Sequence, residues 1–341
     1  MKTNLDLIAE TDKFPYEDDQ TAEANSLRNR LFTLLWEDDE GQYAIGYVPD
    51  WVIDELSKTP EDIRGDMQLN VSDRTVMLFR VPQTEEERTS AVARLTSYWR
   101  ENGTFKTLKG WRNELWPVYD RKGGLLFSVE RAAMGLFGTT RYGVHMVAYV
   151  EHPTAPYGIK AWVPKRASDK STFPGMLDNT VAGGLMTGED PFECIIREAD
   201  EEASLPDPLV RSTAKWVGNA TYTYITEAKH VGEDGYIYPE CQWVYDLKLP
   251  ADVVPRPKDG EVEEFRLCDV DQIKRDLGDG KFKPNCALVM IDFFIRHGIL
   301  TEENEPDLAT IKAKMRRELP FPGPHQHNWP GSITEHSVKA T

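Results

Sequence analysis

Residues 183–205 decide the fold, and they read GGLMTGEDPFECIIREADEEASL. We call this segment the box. Its paired glycines allow a tight backbone turn and a close approach to a ligand or metal. Asp190 then stands as a helix N-cap with Pro191 at the first helical position, and Pro206 marks the end of the helix. The box therefore predicts a glycine-led turn that runs directly into a helix.

The predicted helix separates its apolar side chains from its acidic ones. At about 100° per residue, the apolar side chains fall within about 50° of one direction. This apolar stripe consists of Phe192, Ile195, Ile196, Ala199 and Ala203. Glu198, Glu201 and Glu202 occupy a flanking arc, where spacings of three and four residues bring their carboxylates side by side. We expect the stripe to pack on a sheet.

Three neighbouring carboxylates predict a metal site. Their charges repel one another, which raises their pKa values unless a cation neutralises them. Ligands that offer only oxygen suit Mg²⁺, with Mn²⁺ as an alternative, and both ions also hold substrate phosphates. A bound ion polarises phosphorus and lowers the pKa of an attacking water. A solvated acidic face is the rival interpretation, but it requires the glycine turn, Glu189, Arg197 and the three carboxylates to coincide by accident.

The composition excludes several classes of protein. The chain has 341 residues, 40% of them hydrophobic, and is long enough for two globular domains. Its net charge of −17 repels nucleic acid, and no stretch is apolar enough for a membrane span. The N-terminus has acids where a signal peptide needs an apolar run, and the four cysteines form no CxxC pair. These features predict a cytoplasmic protein with free thiols and no nucleic-acid or membrane partner.

Four segments are predicted along the chain. Residues 1–26 are polar and acidic, which is typical of a flexible arm. Residues 27–137 show mixed signals and predict a smaller α+β domain. Residues 138–315 place strands around a helix, with further helices at the end, and predict an α/β/α sandwich. Residues 316–341 are proline-rich and predict a flexible tail. The expected fold class is α/β.

A few residues outside the box also carry predictions. Thr84 and Glu87 form the capping box of a helix that is expected to run to about Glu101. Three tryptophans of the first domain are expected in the core or at an interface rather than in a cofactor cage; they are Trp99, Trp111 and Trp116. His325 and His327 could bind a metal, but a solvated tail explains them better.

The box resembles that of the Nudix hydrolases. Their pattern G-x5-E-x7-R-E-U-x-E-E-x-G-U is met at Gly183, Glu189, Arg197, Glu198, Ala199, Glu201, Glu202 and Leu205. Ser204 stands where the family has glycine, and serine can adopt the left-handed turn of a helix end at modest cost. The departure therefore concerns the local backbone geometry rather than the metal chemistry.

The resemblance implies roles for these residues. Glu198, Glu201 and Glu202, together with Gly183, would form the metal site, and Arg197 would orient Glu198. A further glutamate from a later loop often joins as ligand or base. Glu261 and Glu264 are the candidates, and Glu261 is favoured because it follows a glycine turn before a strand. A surface acidic loop is the alternative for both.

Other segments resemble one Nudix branch. These are Lys170–Gly184, Gly143–His145 and Phe282–Leu288, and they are similar to Nudix proteins related to the domain fused to thiamine pyrophosphokinase in some fungi. Those proteins carry an N-terminal domain of uncharacterised function. The implied substrates are thiamine diphosphate and, preferentially, its oxidised or otherwise damaged analogues, cleaved to the monophosphate. The implied partner is thiamine pyrophosphokinase in trans, and a homodimer is left open.

A thiamine-like ligand needs an aromatic platform for its rings and basic groups for its diphosphate. The aromatic candidates are Trp162, Tyr222 and Tyr224, and the basic ones are Lys165 and Arg166. Asp178 and Asn179, just before the glycines, could read the edge of a heterocycle. Core packing and a polar turn are the simpler explanations of these residues.

Three rival functions stay open. Isoprenoid diphosphate isomerases share a Phe-Pro-rich run before the box, but they need a cysteine where residues 170–184 have none. A nucleotide-sugar or ADP-ribose pyrophosphatase fits the box equally well, because the box does not specify what the diphosphate carries. A non-enzymatic Nudix module that binds a ligand is expected to have lost the carboxylates, which this chain retains.

Overall fold

A computed structural model of the chain describes residues 1–170, 172–227 and 232–331. The first part of the chain contains a four-stranded sheet, a separate β-hairpin and six helices. The strands are β1 Leu31–Asp38, β2 Gly41–Pro49, β3 Met67–Asn70, β4 Thr75–Leu78, β5 Leu115–Tyr119 and β6 Leu125–Glu130. The helices are α1 Asn4–Thr11, α2 Ala22–Arg28, α3 Asp50–Lys58, α4 Glu61–Arg64, α5 Glu85–Glu101 and α6 Met134–Phe137.

The N-terminal domain is built on the sheet β2-β1-β4-β3, and the hairpin β5-β6 packs against α5. The predicted capping box is confirmed: the Thr84 hydroxyl accepts the backbone N–H of Glu87, whose carboxylate accepts the N–H of Thr84. Trp99 on α5 is 1% exposed and lies in the core, as expected. Short 3-10 helices at Lys106–Gly110 and Arg131–Ala133 flank the hairpin.

The second domain contains six strands in one sheet and five helices. The strands are β7 Arg141–Glu151, β8 Ile159–Arg166, β9 Val181–Gly184, β10 Ala214–Ile225, β11 Ile237–Lys248 and β12 Val262–Asp269. The helices are α7 Pro191–Ala203, α8 Asp207–Thr213, α9 Val270–Gly278, α10 Pro284–Arg296 and α11 Leu308–Lys314. A 3-10 turn at Pro156–Gly158 joins β7 to β8.

The sheet of the second domain is mixed, in the order β10-β11-β7-β8-β12. β7 runs parallel to β11 and antiparallel to β8, but it meets β8 only near its end, at Tyr149–Glu151. This leaves the beginning of β7 free to pair with β9, which carries the glycines of the box. The box therefore starts at one end of the sheet, beside the middle strand.

Helices cover both faces of this sheet, so the α/β/α sandwich is confirmed. The apolar stripe of α7 packs on one face, where Ile195 and Ala199 meet Met146 of β7 in a common core. α10 covers the other face and is apolar around most of its circumference, with Cys286–Phe294 all buried. A helix of this kind needs burial on every side, and α1, α9 and α11 complete the layer.

The N-terminal arm differs from its expected flexibility. Its composition is polar, but Leu7 and Ile8 on α1 are buried against α10. Asp12 then forms a buried ion pair with Arg317 at 2.8 Å, with side-chain exposures of 0% and 8%. Average composition conceals these contacts, because two apolar residues and one buried charge are enough to hold the segment on the sandwich.

The C-terminal segment is also packed, as far as Gly331. Phe321 is 1% exposed, and its ring lies 4.9 Å from that of Tyr47 in the N-terminal domain. The His325 ring contacts the Tyr142 hydroxyl at 3.4 Å, so only His327 of the two tail histidines is exposed. The remainder of the predicted tail, residues 332–341, lies outside the described residues.

All four cysteines are free, as expected from their spacing. Across the described parts of the chain, no helix is both long enough and apolar enough to cross a membrane.

Candidate functional site

A cavity of about 440 Å³ opens beside the box, at the end of the sheet where β7 and β11 begin. Both domains line it. The second domain contributes the glycines of β9, the glutamates of α7 and polar side chains of β10 and β11, and the N-terminal domain contributes the hairpin and its flanking turns. The cavity is thus closed by two walls that are distant in the sequence.

Gly183 lies against the Glu198 side chain, which would have to move to admit a side chain at residue 183. A Cβ atom on Gly183 would be 2.3 Å from the Glu198 carboxyl carbon, a distance that real contacts do not show. The first glycine of the box therefore brings the backbone of β9 close to a carboxylate of α7. This gives a specific reason for the glycine, beyond the tight turn inferred from the sequence.

Arg197 holds three carboxylates in place. Its Nε donates to Glu189 at 2.8 Å. Its Nη1 donates to Glu198 and to Glu201, each at 2.9 Å. The resemblance to the Nudix hydrolases implies that Arg197 orients Glu198, and this hydrogen bond is such a contact. The contacts with Glu189 and Glu201 explain why the box has acids at those spacings around one arginine.

Of the three α7 glutamates, Glu202 is buried and Glu198 is half-buried, and ionisation of either carboxyl is costly. Burial raises the pKa of Glu198 to about 7, against the lowering effect of Arg197. Burial and the nearby charge of Glu198 raise the pKa of Glu202 well above its usual range. The Glu202 carboxylate accepts the backbone N–H of Ala182 at 3.0 Å. A cation between Glu198 and Glu202 would relieve both effects.

The donor set fits a hard divalent cation. Glu198, Glu201 and Glu202 offer oxygen ligands on one side of α7, beside the backbone of Gly183. Over the described residues, no three His, Cys, Asp or Glu side chains already lie in the arrangement of a metal cage. Here Glu198 and Glu201 are turned to Arg197 instead. Nudix hydrolases in general use divalent ions such as Mg²⁺.

Ser204 takes the backbone conformation that the motif glycine would take. It ends α7 with φ 53° and ψ 31°, in the left-handed region. Its hydroxyl donates to the Arg256 carbonyl at 3.0 Å, which stabilises the turn. The serine therefore preserves the helix end, as expected.

Glu261 lines the cavity, whereas Glu264 does not. Burial alone would raise the pKa of Glu261, but the hydrogen bond from Lys170 and the nearby charge of Arg112 contribute to lowering it. Glu264 is exposed and pairs with Arg266 on the same strand. Of the two later glutamates, Glu261 is therefore the one that can reach a ligand in the cavity.

Three of the substrate-binding candidates line the cavity: Arg166, Tyr222 and Tyr224. Tyr222 is 1% exposed and donates its hydroxyl to Glu240 at 2.6 Å. Arg166 is committed to other partners, since it donates to Asp178 at 2.6 Å and to the backbone carbonyl of Thr172 at 3.1 Å. Tyr222 and Tyr224 are therefore two of the aromatic residues that the second domain contributes to the cavity, together with Tyr142, Phe173 and Tyr238.

Trp162 and Lys165 are not part of the cavity lining, contrary to the expectation for them. Trp162 is 8% exposed and fills the apolar core between β8 and α7. Lys165 is directed to β12, where it pairs with Glu263 at 2.9 Å. Arg166, the next residue after Lys165 on β8, does line the cavity. Proximity along β8 therefore does not predict which side chains line the cavity.

Asp178 and Asn179 lie behind the wall rather than in it. Asp178 accepts the Cys286 thiol at 2.6 Å as well as Arg166. Asn179 contacts the His145 ring at 2.8 Å and donates to the Cys286 carbonyl at 3.2 Å. Burial lowers the pKa of His145 to about 4, which keeps the ring neutral. These contacts attach the segment before β9 to α10, so the two residues support the cavity rather than line it.

Sequence reasoning missed several residues of the cavity. On β11, Tyr238, Glu240 and Gln242 all line it. Their alternation in a mostly apolar strand was a usable signal, because side chains two residues apart share one face of a sheet. The contributions of the N-terminal domain, such as Arg112 and Trp116, have no comparable signal, since no local pattern links them to the box.

Two domain families match this chain. Residues 142–286 match the NUDIX domain, and residues 40–141 match a domain of unknown function, DUF4743. The uncharacterized protein YJR142W of Saccharomyces cerevisiae is 38% identical over 283 residues, which cover 82% of this chain and 82% of that protein.

Two relatives from Arabidopsis thaliana carry a functional name. Nudix hydrolase 20, chloroplastic, is 40% identical over 250 residues, 72% of this chain and 63% of the relative. Nudix hydrolase 24, chloroplastic, is 39% identical over 234 residues, 68% of this chain and 60% of the relative. The chain thus spans less than two thirds of the length of either plant protein.

Proposed function

We propose that the chain, whose residues 142–286 match the NUDIX domain, is a pyrophosphohydrolase, and that its substrate is thiamine diphosphate or, preferentially, an oxidised or otherwise damaged analogue. The product would be the monophosphate, and the cofactor Mg²⁺ or Mn²⁺. One observation carries the proposal: a single cavity combines the three glutamates of α7 with aromatic and cationic side chains. A diphosphate ester of a heterocycle needs all three kinds of group.

The carboxylates would hold the cation. We assign Glu198, Glu201 and Glu202, with the backbone of Gly183, as its ligands. When bound, the ion supplies Lewis-acid polarisation of phosphorus and a lower pKa for the attacking water. Arg197 keeps Glu198 and Glu201 in fixed orientations through the contacts described above.

Glu261 would act as a further ligand or as the general base. It lines the cavity from the loop before β12, and its partner Lys170 holds the carboxylate in place. The influence of Lys170 and Arg112 keeps this carboxylate ionised near neutral pH. An ionised carboxylate can accept a proton from water, as a general base must.

The end of the cavity formed by β10 and β11 would bind the organic part of the substrate. Tyr224 is half-buried and offers ring surface to a ligand. Tyr222 is buried, and its hydroxyl donates to the carboxylate of Glu240, which also pairs with Arg141. The thiazolium ring of thiamine is positively charged, and aromatic rings beside a carboxylate favour such a group. Analogues that differ in ring charge therefore probe this end of the cavity directly.

ADP-ribose and other nucleoside diphosphate derivatives are the second candidates. The same tyrosines could stack on adenine, and nothing in the box discriminates the two classes. Two further rivals have less support. In the described part of the chain no cysteine lines the cavity, which argues against an isomerase-like proton transfer. The intact carboxylates argue against a silent binding module.

The decisive experiment is a substrate panel assayed with Mg²⁺. Thiamine diphosphate, its oxidised analogues, ADP-ribose and nucleoside triphosphates should be compared by kcat/KM. We expect the thiamine analogues to lead. If ADP-ribose leads by tenfold or more, the thiamine proposal fails, while the family and its reaction class are unaffected.

Two partner proposals accompany this function. Thiamine pyrophosphokinase would act in trans, because it makes the diphosphate that this enzyme would cleave. A homodimer is the second, and light scattering of the full chain tests it. A monomer at all concentrations would exclude the dimer without affecting the substrate assignment.

A further inference from the structure

The N-terminal domain is in contact with the box itself. Trp116 on β5 is 3% exposed and lines the cavity. A Cβ atom on Gly184 would lie 2.3 Å from Cζ2 of this indole, so the second glycine of the box is needed for the tryptophan. The hairpin β5-β6 is therefore placed directly beside the α7 carboxylates.

A stack of cations and aromatic rings joins the two domains at this point. The guanidinium of Arg131 lies 5.2 Å from the Trp116 ring centre. The Arg141 guanidinium, on β7, lies 4.9 Å from the same ring and 4.3 Å from that of Tyr238. Arg141 also pairs with Glu240 at 3.2 Å. These contacts give the wall a defined position relative to the second domain.

Two donors at this contact between the domains lack an acceptor. Trp116 Nε1 and Arg141 Nε are both buried, and neither has a hydrogen-bond partner among the described residues. Burying a donor without an acceptor costs free energy, and native proteins rarely leave such groups in place without a reason. A bound ligand with acceptor oxygens would satisfy them.

Most cations around the cavity are already neutralised by a carboxylate. Arg131 pairs with Glu114 at 2.9 Å, and Lys170 pairs with Glu261. Arg112 and Lys283 differ: within the described part of the chain, no carboxylate lies within ion-pair distance of either side chain, although both line the cavity. One belongs to the N-terminal domain and the other to the start of α10.

Arg112 and Lys283 both line the cavity that contains the α7 glutamates. The chain as a whole has a net charge of −17, so these two cations provide local positive charge beside a carboxylate cluster. A phosphate group requires such cations, because it must approach glutamates that would otherwise repel it.

We propose that Arg112 and Lys283 form a phosphate clamp that spans the two domains and holds the diphosphate of the substrate beside the α7 glutamates. The N-terminal domain is then a wall of the active site, which no family description assigns to it. This inference rests on the proposed cleavage of a diphosphate, but not on the identity of the group that the diphosphate carries. Arg112 would donate to phosphate oxygens, and the unsatisfied Trp116 and Arg141 donors line the same cavity.

The test measures binding of inorganic pyrophosphate, with Mg²⁺ present, to the full chain by isothermal titration calorimetry. Arg112→Ala should raise Kd at least tenfold, and Arg112→Lys should restore part of the affinity. Lys109→Ala is the matched control, because Lys109 is an exposed cation of the same segment that does not line the cavity. It should bind within twofold of the wild type.

Kinetics on the best substrate of the panel supply the second measurement. Arg112→Ala should raise KM for thiamine diphosphate and for ADP-ribose by similar factors, because the contact is to the shared diphosphate. A wild type that binds no pyrophosphate, or an Arg112→Ala variant that binds it normally, would overturn the clamp. If the wild type hydrolyses nothing in the panel and Arg112→Ala still weakens pyrophosphate binding, the clamp stands and the proposed function fails.

Discussion

Trp116 of the N-terminal domain and Gly184 of the box touch so closely that a single added carbon on Gly184 would lie 2.3 Å from the indole. The neighbouring residue, Gly183, makes an equally close approach to the Glu198 side chain. One glycine therefore accommodates a carboxylate and the other accommodates a second domain. The pair couples the position of the hairpin to the geometry of the α7 glutamates.

Gly184→Ala is expected to displace Trp116 and to weaken both folding and activity. Overpacking of this kind costs on the order of 1–3 kcal/mol in unfolding free energy. Denaturant unfolding and kcat/KM measure the two effects. Gly110→Ala is the control for the unfolding measurement, because its added Cβ meets nothing within 4 Å among the described residues. Equal stability of the two variants would contradict the close contact.

Substitution of Trp116 provides a complementary test. The double variant Gly184→Ala/Trp116→Leu should lose less unfolding free energy than the two single variants lose together. The reason is that the smaller leucine side chain makes room for the added methyl group. Residues in contact show such non-additivity, whereas separated residues do not. Additive unfolding free energies would mean that the two residues do not contact each other in solution.

Glu198→Gln should abolish most Mg²⁺-dependent turnover while leaving the protein folded. We expect kcat to fall by at least about 100-fold, equivalent to about 2.7 kcal/mol of transition-state stabilisation. Asp200→Asn is the matched control on the same helix, since Asp200 is exposed and pairs with Lys258 outside the cavity. Turnover of Glu198→Gln close to that of the wild type would refute the assigned ligand set.

The stability of the metal-free protein should fall as the pH rises. The pKa of Glu198 is raised from 4.5 to about 7 by burial, so folding favours its protonated form. Its contribution is fully present below about pH 4.5 and is lost as the pH rises through about 7. Thermal unfolding with EDTA between pH 5 and pH 8 measures the effect.

Added Mg²⁺ should reverse this loss, because a cation stabilises the ionised glutamates. The gain in Tm on adding Mg²⁺ is therefore expected to be larger at pH 8 than at pH 5. Glu198→Gln should flatten the pH dependence in EDTA and reduce the gain. A gain in Tm that is independent of pH would mean that the ion binds elsewhere.

Arg317→Ala should destabilise the protein strongly, although it lies far along the chain from the box. Its loss leaves Asp12 buried without its partner, which costs about 3–5 kcal/mol for a buried pair. Lys248→Ala breaks an exposed pair with Glu151 and should leave unfolding unchanged. If both variants unfold alike, the ordered terminal segments do not contribute to stability.

Local patterns in the sequence were enough for the box and for the fold class. Helical periodicity separated the stripe of α7 from its carboxylates, and the capping residues located the helix ends, because these features depend on neighbours three or four residues apart. The left-handed turn at Ser204 agrees with the expectation from the sequence, whereas the role of Arg197 was implied by the resemblance to the Nudix hydrolases. The NUDIX match and the observed sandwich agree with those predictions.

The tertiary structure alone decided which other side chains reach the cavity. Trp162 and Lys165 do not line it, whereas Glu240 and Lys283 do, because burial and strand pairing select among residues that look equivalent in the sequence. The polar composition of the terminal segments predicted flexibility, but these segments are packed through individual buried contacts such as the ion pair Asp12–Arg317. The sequence by itself thus determined the helix of the box, its arc of carboxylates and the expected metal site through local spacing. The second wall of the site, with Trp116 on Gly184, arises from contacts between distant segments that no local pattern records.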